Sequence, residues 1–354
     1  MGEQIRKAIV TGATGLLGNN LVRQLVAEGI SVRALVRSPE KAKQQFEGLQ
    51  VELAASDINH PETYAGALAG ADVVFHTAAY FRDGFGGPQH AKHIYETNVT
   101  GTRNLLATAY AAGIRRFVHT SSIAALKGKP GQITDETMLR GPEDGNDYYR
   151  SKVQADREIE TFLAAHPDAW ACMVLPGFMV GPGDAGPTPS GRTVVDFVQK
   201  KFPGIPNAAF SVVDARDVAD AMVRAATHGR RGERYLAAGT PMTIAEICAV
   251  LERVTGVPAP TRRVPDWMLF TVAAMQEGLA RLTGKTALIN RETVRLMKTE
   301  RDYVLYDSSK TERELGVSFR PPEESWEAAY VWLREKGGLS AGNAAPAGGA
   351  LKTV

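Results

Sequence analysis

"TGATGLLG", residues 11–18, is the stretch on which the fold turns. It follows a β-branched run, KAIVT at 7–11, and leads into an apolar stretch with helical spacing over 15–28. Gly12, Gly15 and Gly18 fall at the strand–turn–helix junction. Gly12 permits the tight turn, Gly15 lets a pyrophosphate approach the backbone, and Gly18 lets the helix pack on the sheet. The helix N-terminus then offers free N–H groups and a partial positive charge. A glycine triplet alone could serve close packing only. At the opening of a βαβ unit it points to a bound dinucleotide.

The same alternation continues outward. Strand candidates recur at 31–37, 50–55, 72–77, 115–121 and 169–176, with helix candidates at 39–47, 61–68, 91–112 and 147–166. Repeated βα units predict an α/β fold, a doubly wound parallel sheet of the Rossmann type, covered on both faces. VVFH and CMVL read as strands buried on both sides. From about 177 the texture changes. "PGFMVGPGDAGPTPSG", 176–191, reads as a loop. Helices are expected at 191–202, 216–228, 243–255, 265–283, 291–298, 308–315 and 323–336, with one strand at 233–238. The division is a dinucleotide domain over 1–176 and a smaller mixed substrate lobe over 177–336, some of whose elements return to the first domain. A disordered tail is expected over 337–354.

Composition narrows the function. The chain has 354 residues, enough for about two domains. A net charge of +2 argues against a nucleic-acid binder, which would carry a basic stripe. Cys172 and Cys248 lie far apart in apolar contexts and read as buried core thiols. The N-terminus enters a strand at once without a signal-peptide core, and Arg6 stands where myristoylation needs Ser or Thr. WMLFTVAAM, 267–275, is too short to span a bilayer and is followed by Glu277 and Arg281. It reads as a buried amphipathic helix, with a membrane-surface contact as the lesser reading. The expectation is a cytoplasmic enzyme with a small-molecule substrate and neither nucleic acid nor membrane as partner.

The second strand ends in LVRSPEK. An acidic residue there would bond the adenosine ribose of NAD. Arg37, with Ser38 and Lys41 close behind, suits a 2′-phosphate instead. NADP(H) is therefore the preferred cofactor, with NAD(H) as the alternative. A solvated strand-end charge is the plain reading of Arg37. Asp57 and Ile58 are placed to meet the adenine. Thr77, Ala78 and Ala79 are small enough to let the cofactor lie near the backbone. Thr14, Leu16 and Leu17 of the glycine turn and Pro176 at the end of the sixth strand complete the expected cofactor set.

"NDYYRSK", 146–152, offers two tyrosines to one lysine. Tyr148 is four residues from Lys152 and Tyr149 three, and both spacings share a helix face. Local geometry leaves the choice open. His90 and His93, three apart, could place two ligands on one helix face, but no Cys or His cluster supports them, so no metal is expected.

Taken together, TGATGLLG, HTAA at 76–79, NVTGTRNLL at 98–106, TSS at 120–122 and YYRSK at 148–152 resemble the extended short-chain dehydrogenase/reductase superfamily (the NAD-dependent epimerase/dehydratase family) over residues 5–336. VLPGFMVGPGD, PTPSGRTVVDFV and GERYLAAG…MTIAEI are similar to its dihydroflavonol-4-reductase-like and hopanoid-associated epimerase-like branch. The resemblance implies a catalytic set of Ser122, Tyr148 and Lys152, with Ser121 as the alternative serine. Tyr148 is then the proton-transferring phenol, and Tyr149 points about 100° around the helix. Lys152 and Tyr148 would also hold the cofactor, and Asn98 would help fix the site. Homodimers through paired long helices are common among such relatives.

The chemistry explains the pair. A free tyrosine has a pKa near ~10, and a neighbouring ammonium should lower it. Carbonyl–alcohol interconversion follows. The segments after strands four to six supply Tyr80, Phe81, Phe85, Ile123, Lys127, Phe178 and Met179 as substrate candidates. Their apolar character suits an aromatic or alicyclic compound, although several could merely pack the lobes together. A nucleotide-sugar epimerase or dehydratase is the alternative. Many of those carry an Asn in an FNxxG stretch where this chain has Leu175, Pro176 and Gly177. A non-catalytic dinucleotide sensor would usually lack the Tyr–Lys pair.

Overall fold

β-branched runs flanked by helical stretches settle where both faces can be covered, and here they build one twisted sheet. The structure, a computed structural model, describes residues 4–81, 88–283, 291–336 and 338–339. The strands are β1 (Lys7–Thr11), β2 (Ser31–Val36), β3 (Val51–Ala55), β4 (Val73–His76), β5 (Arg116–Thr120), β6 (Trp170–Pro176), β7 (Phe178–Val180), β8 (Ile205–Pro206), β9 (Ala209–Asp214), β10 (Arg234–Ala237), β11 (Thr240–Thr243) and β12 (Arg263–Val264). The α-helices are α1 (Leu16–Ala27), α2 (Pro39–Gln45), α3 (Pro88–Tyr95), α4 (Gly101–Ala111), α5 (Asp147–Ala165), α6 (Pro189–Val198), α7 (Ala215–His228), α8 (Ile244–Thr255), α9 (Asp266–Thr283), α10 (Arg291–Glu300), α11 (Ser309–Leu315) and α12 (Pro322–Glu335).

Seven parallel strands run in the order β10-β6-β5-β4-β1-β2-β3. The order reverses between β1 and β4, which opens a crevice at their carboxyl ends. Successive strand residues face opposite layers. Val10 joins Leu21, Leu25, Val218 and Met222 on one side. Ile9 joins Leu105, Ile159 and Leu163 on the other. A smaller sheet, β11-β9-β7, carries the second lobe, where Trp326, Leu251 and Phe197 form a separate core. β10 enters the main sheet beside β6, so the chain returns to it after leaving.

Several expectations need correction. Residues 61–68 form two 3₁₀ turns, Pro61–Thr63 and Ala65–Leu68, because only Tyr64 and Leu68 are buried and two anchors around Gly66 do not sustain a longer α-helical face. The helix expected over 91–112 is broken by a π-turn at Glu96–Thr100. The loop at 176–191 contains β7, paired with β9 in the register Phe178↔Val212. β9 and β11 were not expected at all, since their partners are distant or belong to the same lobe.

The run 267–275 lies on α9 but is not a buried helix. Trp267 is 67% exposed and Met275 71%, while Ala273 is buried. Among the described residues α9 packs chiefly against α10, with which it forms a helical hairpin. Cys172 and Cys248 are buried, as expected. Among the described residues no helix is long and apolar enough to cross a membrane. Phe85 and nearly all of the 337–354 tail lie outside the described residues.

Candidate active site

The crevice begins at the glycine turn. Gly12 has φ +64°, and a Cβ there would sit 2.7 Å from the Ala78 backbone. A Cβ at Gly18 would sit 2.2 Å from the Gly12 carbonyl. Both positions exclude a side chain. Gly15 is exposed, and its N–H donates to the Gly12 carbonyl at 2.9 Å. It caps α1 with no side-chain bond, which leaves that helix start open to an anion. Leu16 and Leu17 are buried beneath the turn, and the Thr14 carbonyl accepts from Gln45 at 3.0 Å.

The end of β4 is tied to this turn. The Thr77 hydroxyl donates to the Thr11 carbonyl at 2.7 Å, and the Ala78 N–H donates to the Thr11 hydroxyl at 3.2 Å. Asp57 accepts from the Asn59 N–H at 2.9 Å. Ile58 lies over Gly101 of α4. Arg37 stands exposed just past β2, in no ion pair among the described residues. Pro176 is buried at the end of β6, opposite Ala237.

α5 opens with Asn146 as its cap, accepting from the Tyr149 N–H at 2.9 Å. This start sends the two tyrosines to different neighbours. Tyr149 lies under Arg140, whose guanidinium is 4.5 Å from its ring centre. Tyr148 is half-buried beside Ser122, with Phe81 edge-on at 4.7 Å. Burial pushes the Tyr148 hydroxyl up to about 12, and the Ser122 hydroxyl pulls it back. This is opposite to the direction expected from the ammonium alone. The Lys152 nitrogen lies 6.0 Å from the Tyr148 ring centre and donates instead to the Thr120 carbonyl at 2.9 Å. Burial holds Lys152 down at about 8, against the pull of Asp156.

The two serines separate just as clearly. The buried Ser121 hydroxyl donates to Asp156 at 2.9 Å, away from the phenol. Ser122 accepts from the Ala124 N–H at 3.1 Å and faces Tyr148. Asn98, inside the π-turn, bridges α5 to β4. It accepts from the Tyr80 N–H at 2.6 Å and donates to the Tyr80 carbonyl and to Ser151 at 3.2 and 3.0 Å.

The expected substrate residues do not all converge. Phe81 meets Tyr148, and Ile123 follows Ser122. Lys127 is exposed, with Asp144 at 4.0 Å. Phe178 stacks on Phe210 at 4.8 Å in the second lobe, and Met179 packs on the main core. Tyr80 is edged by the rings of His90 and His93 at 5.5 and 4.7 Å, which gives those histidines an aromatic neighbour.

Beneath the crevice lies a buried polar cluster that sequence reasoning missed. His76 bonds Thr11 at 2.8 Å and Thr102 at 2.9 Å. The His119 ring is 5.3 Å from it and 3.8 Å from Asp156. Arg234 approaches the same carboxylate at 3.6 Å. Burial pushes His76 down to about 3 and Asp156 up to about 6. One signal was available: Asp156 follows Lys152 by one helical turn.

The model of the NAD dependent epimerase/dehydratase family matches residues 8–238. The chain belongs to that family. It is similar to sterol demethylase protein B of Methylococcus capsulatus, 36% identical over 93% of this chain and 98% of that protein. A Synechocystis protein carrying a dihydroflavonol 4-reductase name is 33% identical over 93% and 94%. The crystal structure of gox2253 superposes with a TM-score of 0.79 at 31% identity, covering 94% of this chain and 99% of that one. This member of the family is an extended short-chain oxidoreductase acting on CH–OH groups, with a nicotinamide dinucleotide as its cofactor type. The uncapped start of α1 and the side-chain-free Gly12 fit such a group.

Proposed function

We propose that this protein interconverts an aldehyde or ketone and its alcohol with NADP(H), on an aromatic or alicyclic compound. The observation that carries the reading is the placement of Tyr148 between Ser122 and the β4 end, with Lys152 one turn along the same helix. Gly12, Thr14, Gly15, Leu16 and Leu17 would hold the pyrophosphate side. Asp57, Ile58, Thr77, Ala78, Ala79 and Pro176 would line the rest, and Arg37 would meet a 2′-phosphate. Residues 1–176 then carry the cofactor and 177–336 the substrate lobe.

Bound NADPH supplies the hydride. The Ser122 hydroxyl donates to the substrate oxygen as negative charge develops there. Tyr148, kept neutral by its burial, gives its proton to that oxygen. The Lys152 ammonium, anchored on Thr120, offsets the phenolate that remains. Oxidation of an alcohol reverses each transfer.

The printed names of the similar proteins, one a sterol enzyme and one a reductase, support an apolar carbonyl compound. The β6–β7 junction supports it over a nucleotide sugar. The Asn of an FNxxG stretch stands three residues before its Gly, and three residues before Gly181 this chain has Phe178, stacked on Phe210. The test is NADPH consumption with a panel of sterol ketones and aromatic ketones. Turnover on this panel is expected. Epimerisation of a nucleotide sugar without net cofactor change, and no reaction with the panel, would overturn the reading.

A further inference from the structure

The apolar stripe of α9 has no use in the site just described. Trp267, Met268, Val272 and Met275 are all exposed. A spacing of eight places Trp267 with Met275, and a spacing of four places Met268 with Val272, along one side of the helix. Large apolar side chains left in water together mark a contact surface, whereas single ones need no explanation.

Charge tells what the surface meets. Three carboxylates of the hairpin are engaged: Asp266 with Arg301 at 3.9 Å, Glu277 with Arg291 at 2.8 Å, and Glu300 with Arg140 at 3.1 Å. Arg262 and Arg263 just before α9, and Arg295 and Lys298 on α10, are exposed and in no ion pair among the described residues. Among the described side chains the hairpin therefore offers apolar groups with a fringe of unpaired positive charge. A second copy docked on the same face would bring two such fringes together, which repels. An anionic lipid surface satisfies both features. Tryptophan and methionine enter the headgroup boundary while arginine and lysine hold the phosphates.

We propose that the α9–α10 hairpin is a docking surface for an anionic phospholipid bilayer, on which the protein lies without crossing it. The hairpin is joined to the crevice wall, since Glu300 at the end of α10 bonds Arg140, which covers Tyr149 beside Tyr148. A docked bilayer would thus lie near the mouth of the site. The inference does not depend on the reaction proposed above, because it is read by binding alone.

The experiment is flotation of the full chain with phosphatidylcholine vesicles, with and without phosphatidylserine. Association with the phosphatidylserine vesicles, weakened by salt, is the expected result. The double variant Trp267→Ser, Met275→Ser should weaken it by about tenfold or more. Arg263→Glu with Lys298→Glu should weaken it and flatten the salt dependence, with unchanged circular dichroism for both variants. No association with either vesicle would overturn the proposal. So would a concentration-dependent dimer in light scattering that the apolar double variant breaks, because a second copy would then cover the stripe.

Discussion

The carboxyl ends of β1, β4 and β5 and the α9–α10 hairpin depart from ordinary partition in opposite senses. Under the sheet ends, polar groups are buried: His76, His119, Ser121, Lys152 and Asp156 are each less than a tenth exposed. On the hairpin, apolar groups face water. Each arrangement costs stability unless something offsets it. Buried polar groups must find partners, and an exposed apolar patch must find a cover. The sheet ends supply hydrogen-bond partners to His76, Ser121 and Lys152 from within the chain, while His119, among the described residues, has only the Asp156 carboxylate nearby. The hairpin, among the described residues, does not supply its cover. One region therefore should respond to substitution through chemistry and pH, and the other through association.

The largest effect should come from the sheet-end region. Tyr148→Phe should lower turnover by about 10²–10⁴-fold while leaving NADPH affinity, measured by titration calorimetry, nearly intact. Tyr149→Phe, which loses only a hydroxyl on the Arg140 side, should cost far less. Equal losses would break the distinction between the two tyrosines. Next, Arg37→Asp should shift the NADPH-to-NADH ratio of kcat/KM by about tenfold or more towards NADH, from loss of a charge-assisted phosphate contact. An unmoved ratio would leave Arg37 a solvated charge.

The buried cluster should show itself as acid sensitivity. His76 has its folded pKa pushed from 6.5 to about 3, so its contribution to stability is full above pH 6.5 and is lost as pH falls through that window. His119, also held well down by burial, acts in the same sense. Each can contribute a slope of at most about 1.4 kcal/mol per pH unit. Asp156 opposes them. Its folded pKa is raised from 3.8 to about 6, so its contribution is present at low pH and is lost as pH rises through about 6. Chemical denaturation across pH should therefore find Asp156→Asn more steeply destabilised between pH 6 and 4 than the parent. A shallower slope would mean that the carboxylate is ionised throughout. The smallest effect belongs to the hairpin: Met275→Ser should change unfolding free energy by no more than about 0.5 kcal/mol. A large loss would show the stripe to be packed after all.

Much of the sheet was legible because parallel βα units leave local traces. Each of β1 to β6 falls within a residue or so of its expected run, and the glycine turn sits where its spacing put it. β7, β9 and β11 left no such trace. FMV in a glycine- and proline-rich loop becomes a strand only because Val212 arrives beside Phe178 from far along the chain. α9 failed differently. Apolar periodicity identified a helix, but periodicity does not say whether a neighbour exists to bury it. In the site, the residue types were readable and their orientations were not. Ser121 and Ser122 are adjacent, and only the position of Asp156 shows which one is already bonded.

The sequence by itself determined the βα alternation and the glycine cradle, because strand and helix periods and the absence of a Cβ act within a few residues, while the Ser–Tyr–Lys set rests on its resemblance to a family. The tertiary structure decided which tyrosine faces Ser122, that burial outweighs the Ser122 hydrogen bond in setting the phenol's acidity, and that the α9 stripe stays exposed. Those outcomes depend on desolvation and on partners brought from distant segments, and no local window contains either.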